Sequence, residues 1–319
     1  MNVATIMRGK KQTVASLGAA MLLLCASPAT AAVTFTEYAV PNTADAITKG
    51  PDGNFWYTVP GSGRIAKATP AGAVTEYQVP TANAGLTSIA AGSDGNVWFS
   101  ENTGHKIGKI TPSGAITEYT LPTGPNSPEV NSITAGPDGN VWFIDASNYK
   151  IGKITPEGAI TQYPISYYPT EITAGADGNL WWVAPNNAGI MKTTTAGVTT
   201  KYTVPNVTWQ SYMQSITAGP DGNVWFTAYG ANKVGKVTPS GAITQYNVGG
   251  PAEIAAGPDG NVWFTKSGNK IGKITPAGTA TEYPAPTSGA NPAHLTSGPD
   301  NKVWVTYSGA KKIAAVTTS

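Results

Sequence analysis

The sequence is short of the residues that most often carry chemistry. Of its 319 residues one is cysteine, two are histidine (His105 and His294) and only 12% are charged. The single cysteine, Cys25, lies in an N-terminal leader-like stretch, so the rest of the chain has no intrachain disulfide available. Neither charge is in excess. The 20 basic and 18 acidic residues become 17 and 18 once residues 1–31 are set aside, a net charge near −1. That balance gives no electrostatic case for nucleic acid or an anionic membrane as partner.

Residues 1–31 read as a signal peptide. Arg8, Lys10 and Lys11 form a positive start, Val14 to Leu24 an apolar core, and Ala29-Thr30-Ala31 a small-residue cleavage site. The apolar core is too short and wrongly flanked for a stable membrane span. Leu24, where a lipid-attachment motif wants a small residue, argues against anchoring through Cys25. The expected localisation is secreted or periplasmic. The remaining residues, 32–319, are enough to bury a sizeable core.

What the chain has in quantity is repetition. The stretch ITAGPDGNVWF at Ile133 to Phe143 recurs, lightly varied, around tryptophans 56, 98, 142, 181, 225, 263 and 304, at gaps of 38 to 44 residues. A period near forty with strand-like content is the signature of a β-propeller blade. Within a unit, an inner strand at Ile133-Thr134-Ala135 leads through Asp138-Gly139 into Val141-Trp142-Phe143. Asp-Gly between strand-like runs marks a hairpin, since glycine takes the positive φ of the turn without steric cost. A third strand, Lys150 to Ile154, and a fourth, Ala159 to Tyr163, complete the blade. The seven tryptophans are expected to pack between neighbouring blades. Gly108, Gly152, Gly235 and Gly272, inside the third strands, are expected to mark close approach of an adjacent backbone.

Six fourth strands are found within the repeats, and the last unit stops at Ile313 to Thr317 without one. The missing copy is Val33 to Tyr38, at the other end of the chain. Pairing it onto the last unit closes the ring and protects an open edge. The expected fold is all-β, a seven-bladed propeller of four-stranded blades closed by the N-terminal strand, in one domain over 32–319.

The repeat, GPDGNVWF followed by NKIGKITP and SGAITEY, resembles the virginiamycin B lyase (streptogramin B lyase) family of seven-bladed propellers, and does so over all seven units. The resemblance implies a magnesium-assisted elimination that opens a cyclic depsipeptide at its ester bond. It implies a site with the pattern E-x-H before the last inner strand, a second Glu sixteen residues after the first, and a further His in the preceding blade. A metal polarises the ester carbonyl while a near-neutral base takes a carbon-bound proton. Those positions here are Asn291, Ala293, Tyr307 and Ala252. None is ionised near neutral pH. His294, one residue out of register, is expected to face the opposite side of its strand.

One blade keeps part of the pattern. Glu129-Val130-Asn131 precedes the third inner strand and Asp145 lies sixteen residues after Glu129. Glu129, Asp145 and Glu101, with Asp45 adding acidity, are expected to share one channel mouth, and such oxygen donors suit magnesium or calcium. Across the mouth, Tyr168, Tyr212, Trp209 and Tyr307 offer aromatic surface for a small molecule, peptide or sugar ligand. His105 reads as a loop polar group and is the one histidine close to these acids in sequence; with Asp45 and Asn131 it is a further candidate for contacting such a ligand. Two functions follow. One is an exported, monomeric ligand-binding or scaffold propeller without the catalytic histidines. The other is a metal-dependent lyase or hydrolase whose site has moved to blades two and three.

Overall fold

The computed structural model describes residues 33–318; the leader expected at residues 1–31 lies outside the described residues. Strands hydrogen-bond into seven separate four-stranded antiparallel sheets, six of them formed from consecutive strands. Blade three shows the pattern: Ile133–Ala135, Val141–Asp145, Lys150–Ile154 and Ile160–Pro164, from the channel outward. The seventh sheet takes its outer strand from the start of the chain. Thr34–Ala39 pairs with Lys312–Thr317, from Thr34 opposite Thr317 to Ala39 opposite Lys312. The closing strand is therefore where the sequence put it, displaced by one residue. Among the described residues no helix is long and apolar enough to cross a membrane.

The repeated Gly-x-Asp-Gly-Asn-x-Trp motif builds the interface between blades. In blade three, Gly139 turns the chain at φ 80°. The turn brings the Asp138 carboxylate to the Trp142 indole N–H, 2.8 Å away, and to the Asn140 side chain at 2.8 Å. Trp142 is fully buried, so its N–H needs such an acceptor. The same Asp–Trp bond forms in all seven blades. Lys153 lies over the Trp142 ring at 5.2 Å and Tyr163 stacks on it at 5.8 Å. Neighbouring blades are then clipped together. Lys109 of blade two donates to the Pro156 carbonyl of blade three, and the Tyr119 ring packs against Gly158, whose φ of 96° and missing side chain leave it room.

The third-strand glycines have a different partner from the one expected. Gly152 sits directly opposite Phe143, and a Cβ there would enter the Phe143 ring. The close approach is by an aromatic side chain of the neighbouring strand, not by backbone. Gly108, Gly235 and Gly272 accommodate Phe99, Phe226 and Phe264 in the same way.

Candidate functional site

The inner strands expose their edges to a central channel, and the second strands stand one strand-spacing behind them. This decides which residues reach the channel. A strand's side chains stand perpendicular to its sheet, so a residue ending a second strand projects between blades instead of toward the axis. Glu101, Asp145 and Tyr307 all end second strands, and all three are fully buried.

Their surroundings follow from that placement. The Asp145 carboxylate accepts from the Asn148 side chain at 3.1 Å, from the Glu129 backbone N–H at 3.2 Å and from outer-strand Gln162 at 3.4 Å. Both Glu101 oxygens lie without a hydrogen-bond partner. Burial and then the nearby Glu118 carboxylate push the Glu101 carboxyl up to about 7. Lys106, which could have compensated it, binds Glu118 at 2.8 Å. Tyr307 also has an unpartnered hydroxyl, and burial followed by Glu37 raises its pKa. It packs among Trp263, Ala290 and Val305 instead of lining the mouth.

The expected acidic cluster at one mouth is thus not assembled. Glu129 is half-buried, held by Asn131 Nδ2 at 3.4 Å, while Glu101 and Asp145 point toward outer strands. Among the described residues no group of three or more acidic or histidine side chains is spaced to hold a metal ion. The donor set expected for magnesium or calcium does not fit one. His105 is a loop residue, φ 54°, whose Nδ1 meets the Pro128 carbonyl at 2.7 Å and ties down the connector before the third inner strand.

The channel itself holds His294, which was expected to face away, and two acids, Glu171 and Glu253, that the sequence analysis did not single out. A cavity of about 240 Å³ is lined by Thr87, Asn131, Thr170, Glu171, Gln214, Glu253 and His294, among others. His294 faces it because the inner strand of blade seven is bulged. Pro292 pairs with Tyr307 but Leu295 pairs with Val305, so three steps on one strand match two on the other. An extra residue breaks the alternation and lets neighbours share a face. The Thr306 hydroxyl accepts the His294 backbone N–H at 3.1 Å and holds the bulge. The position one before the inner aliphatic residue reads Ala46, Ser88, Ser132, Glu171, Ser215, Glu253 and His294. Its hydroxyls accept the next blade's amide: Ile133 to Ser88, Ile172 to Ser132, Ile254 to Ser215. Glu171 does the same for Ile216 at 2.9 Å. Reading that column across the repeats would have flagged the two acids and the histidine in a belt of small residues.

Electrostatics couple the belt. His294 Nδ1 lies 3.2 Å from Asp45 Oδ1, in ion-pair contact though outside hydrogen-bond alignment. Burial opposes the imidazolium, but Glu253, Asp45 and Glu171 outweigh it and raise His294 to about 9. Burial and then Glu253 hold the Glu171 carboxyl well above the usual carboxylate range.

Beside this channel the aromatic half of the mouth is present. Trp209 and Tyr212 are 60% and 59% exposed and line a cavity of about 480 Å³ with Pro185, Asn186, Thr170 and Gln214. Thr208 and Ser211 cap the short turn that carries Trp209. Tyr168 is half-buried and meets Tyr149 edge-on at 6.1 Å, away from that cavity's lining. Its hydroxyl pKa is raised by burial and then by Glu129.

The sequence profile of the virginiamycin B lyase family matches residues 33–246 and 167–319. The chain belongs to this family. A streptogramin B lyase structure superposes with a TM-score of 0.84 at 33% identity, over 92% of this chain and 100% of that one. Virginiamycin B lyase from Staphylococcus aureus gives 0.83 at 34%, over 90% and 99%. So does a catalytically inactive form of that enzyme with quinupristin. Hydrazine synthase from Kuenenia stuttgartiensis, at 14% identity and a TM-score of 0.68 over 88% and 96%, shares the fold alone. Among curated proteins none matches this chain.

The positions that correspond to the family's E-x-H pattern can now be placed. Asn291, with φ 48°, and Ala252 border a cavity of about 190 Å³ together with Lys266, whose ammonium donates to the Val248 carbonyl at 2.6 Å and pairs with Glu282. A lysine stands where a divalent ion would need carboxylates, and the Tyr307 position is sealed. These residues do not fit magnesium either.

Proposed function

We propose that the protein is an exported, ligand-binding member of the virginiamycin B lyase family that does not carry out the lyase reaction. The observation that carries this reading is the mouth between blades six and seven: Asn291, Ala293 and Ala252 carry no ionisable group, Tyr307 is sealed, and the charged residue present is Lys266. Elimination needs a base to take the proton and a group to stabilise the developing negative charge. No residue at these positions is suited to take the proton. Trp209 and Tyr212, by contrast, offer flat apolar surface beside a cavity large enough for part of a peptide or a compact small molecule.

The ligand class that suits this surface is an aromatic-bearing peptide or related small molecule, held by stacking on Trp209 and Tyr212 and by polar contacts to Asn186, Thr170 and Gln214. Quinupristin, present with an inactive relative, is a natural probe. Titrating it while following tryptophan fluorescence is expected to show saturable quenching that Trp209→Ala abolishes. Equal binding by the wild type and Trp209→Ala, or no binding of any aromatic peptide tested, would overturn the reading.

A further inference from the structure

The belt acids and His294 have no part in the aromatic binding surface, yet they converge on a cavity that adjoins it. We infer that this channel cavity is a subsite for a primary ammonium group, held between the carboxylates of Glu171 and Glu253 with the Thr170 hydroxyl as a third acceptor. Four observations carry this. First, the cavity of about 240 Å³ is lined by Glu171, Glu253 and His294, with no lysine or arginine among its lining residues. Second, three carboxylates, those of Asp45, Glu171 and Glu253, act on the single imidazole of His294, which is in contact with Asp45, so acids outnumber the one cation of the channel.

Third, Thr170 Oγ1 is buried without a hydrogen-bond partner, and Thr170 lines both this cavity and the aromatic one. An unsatisfied hydroxyl shut away from water is costly and marks a place for a donor. Fourth, Gln214 also lines both cavities, so a ligand lying on Trp209 and Tyr212 reaches the channel past two shared residues. The spacing decides the kind of cation. Among the described residues no three acids or histidines are placed to ligate a metal, whereas an ammonium makes three separate, directional hydrogen bonds on a flexible reach.

The charges facing the site are Glu253, His294, Asp45 and Glu171 itself. Glu171 holds its proton above the usual carboxylate range because of burial and Glu253. An entering ammonium replaces that proton's role, so affinity rises with pH as Glu171 ionises, until the ligand amine loses its own proton. The ammonium subsite stands without the aromatic surface. Only the joint ligand, a primary amine on a flat apolar body, rests on the binding reading above.

Calorimetry with phenethylamine and its uncharged analogue 2-phenylethanol tests this on the wild type and on Glu253→Gln, Glu171→Gln, Trp209→Ala and Glu157→Gln. Glu157 is an exposed turn acid and controls for loss of charge alone. The amine is expected to bind at least tenfold more tightly than the alcohol. Glu253→Gln and Glu171→Gln each remove that preference, and Glu157→Gln keeps it. Near-UV circular dichroism verifies folding, and if one glutamine variant fails to fold the other carries the test. Equal binding of amine and alcohol, an undiminished preference in a folded glutamine variant, or displacement of the amine by 5 mM magnesium would overturn the assignment. Loss of preference in Glu253→Gln with no effect of Trp209→Ala on either probe upholds the ammonium subsite and rejects the aromatic surface.

Discussion

Deleting Thr34–Ala39 removes the outer strand of the seventh blade and opens the ring. The cost follows from what that strand touches. Six residue pairs of ladder are lost, at about 0.5–1.5 kcal/mol for each hydrogen bond. Phe35 and Tyr38, both partly buried, give up roughly half of the 1.5–3 kcal/mol that full burial of such a side chain is worth. Tyr38 also stacks on Trp304 at 5.3 Å and packs against Gly72 of blade one. Glu37 binds Lys312 at 2.8 Å and the Thr287 backbone N–H at 3.1 Å. The Lys312–Glu37 pair is partly exposed and adds little. The total is on the order of 6 kcal/mol, against about 5–15 kcal/mol of stability for a typical domain. For a chain of this size that corresponds to roughly 12–24 °C in Tm. Differential scanning calorimetry with size-exclusion chromatography reads both Tm and aggregation. A monodisperse truncated protein melting within about 3 °C of the full form would refute the closure argument, taking that margin as roughly 1 kcal/mol.

Asp138→Ala leaves the buried Trp142 N–H without its acceptor and should cost about 1–3 kcal/mol, read as a lower denaturant midpoint with an unchanged m-value; an unaltered midpoint would show the Asp–Trp bond to be dispensable. His294 is raised to about 9 by its carboxylate neighbours against the pull of burial. Its contribution is therefore complete below the unfolded value of about 6.5 and is lost as pH rises through about 9. Wild-type Tm should fall more steeply than that of His294→Gln between pH 7 and 10, and parallel curves would contradict this. Because Glu101 and Asp145 are sealed behind the channel, millimolar magnesium or calcium should leave Tm unchanged; a rise abolished by Glu129→Gln would restore a divalent site in blade three.

The fold was legible because its signal is repeated seven times. Tryptophan spacing, the Asp-Gly turn and the count of fourth strands each pointed to the same closed ring, and strand ends were displaced by no more than two residues. The polar logic of the motif was less visible. Asp138 is chosen for the turn and equally for the indole four residues on, and only coordinates show the second role. The channel was the least legible part. Sequence spacing placed Glu129 near Asp145, and the Glu129 amide does meet the Asp145 carboxylate, but spacing carries no information on side-chain direction. Asp145 projects across the blade toward Gln162. The expectation that His294 turns away assumed unbroken alternation, which the bulge between Pro292 and Leu295 removes. Glu171 and Glu253 sit in a column otherwise filled by alanine, serine and histidine, and their convergence depends on blades that are distant in sequence.

The most direct test of the whole account is incubation of the purified protein with quinupristin, with and without magnesium, followed by mass spectrometry of the antibiotic. The account predicts only intact quinupristin under both conditions, in the same samples that show Trp209-dependent quenching. A ring-opened product that accumulates with time and requires magnesium would contradict it.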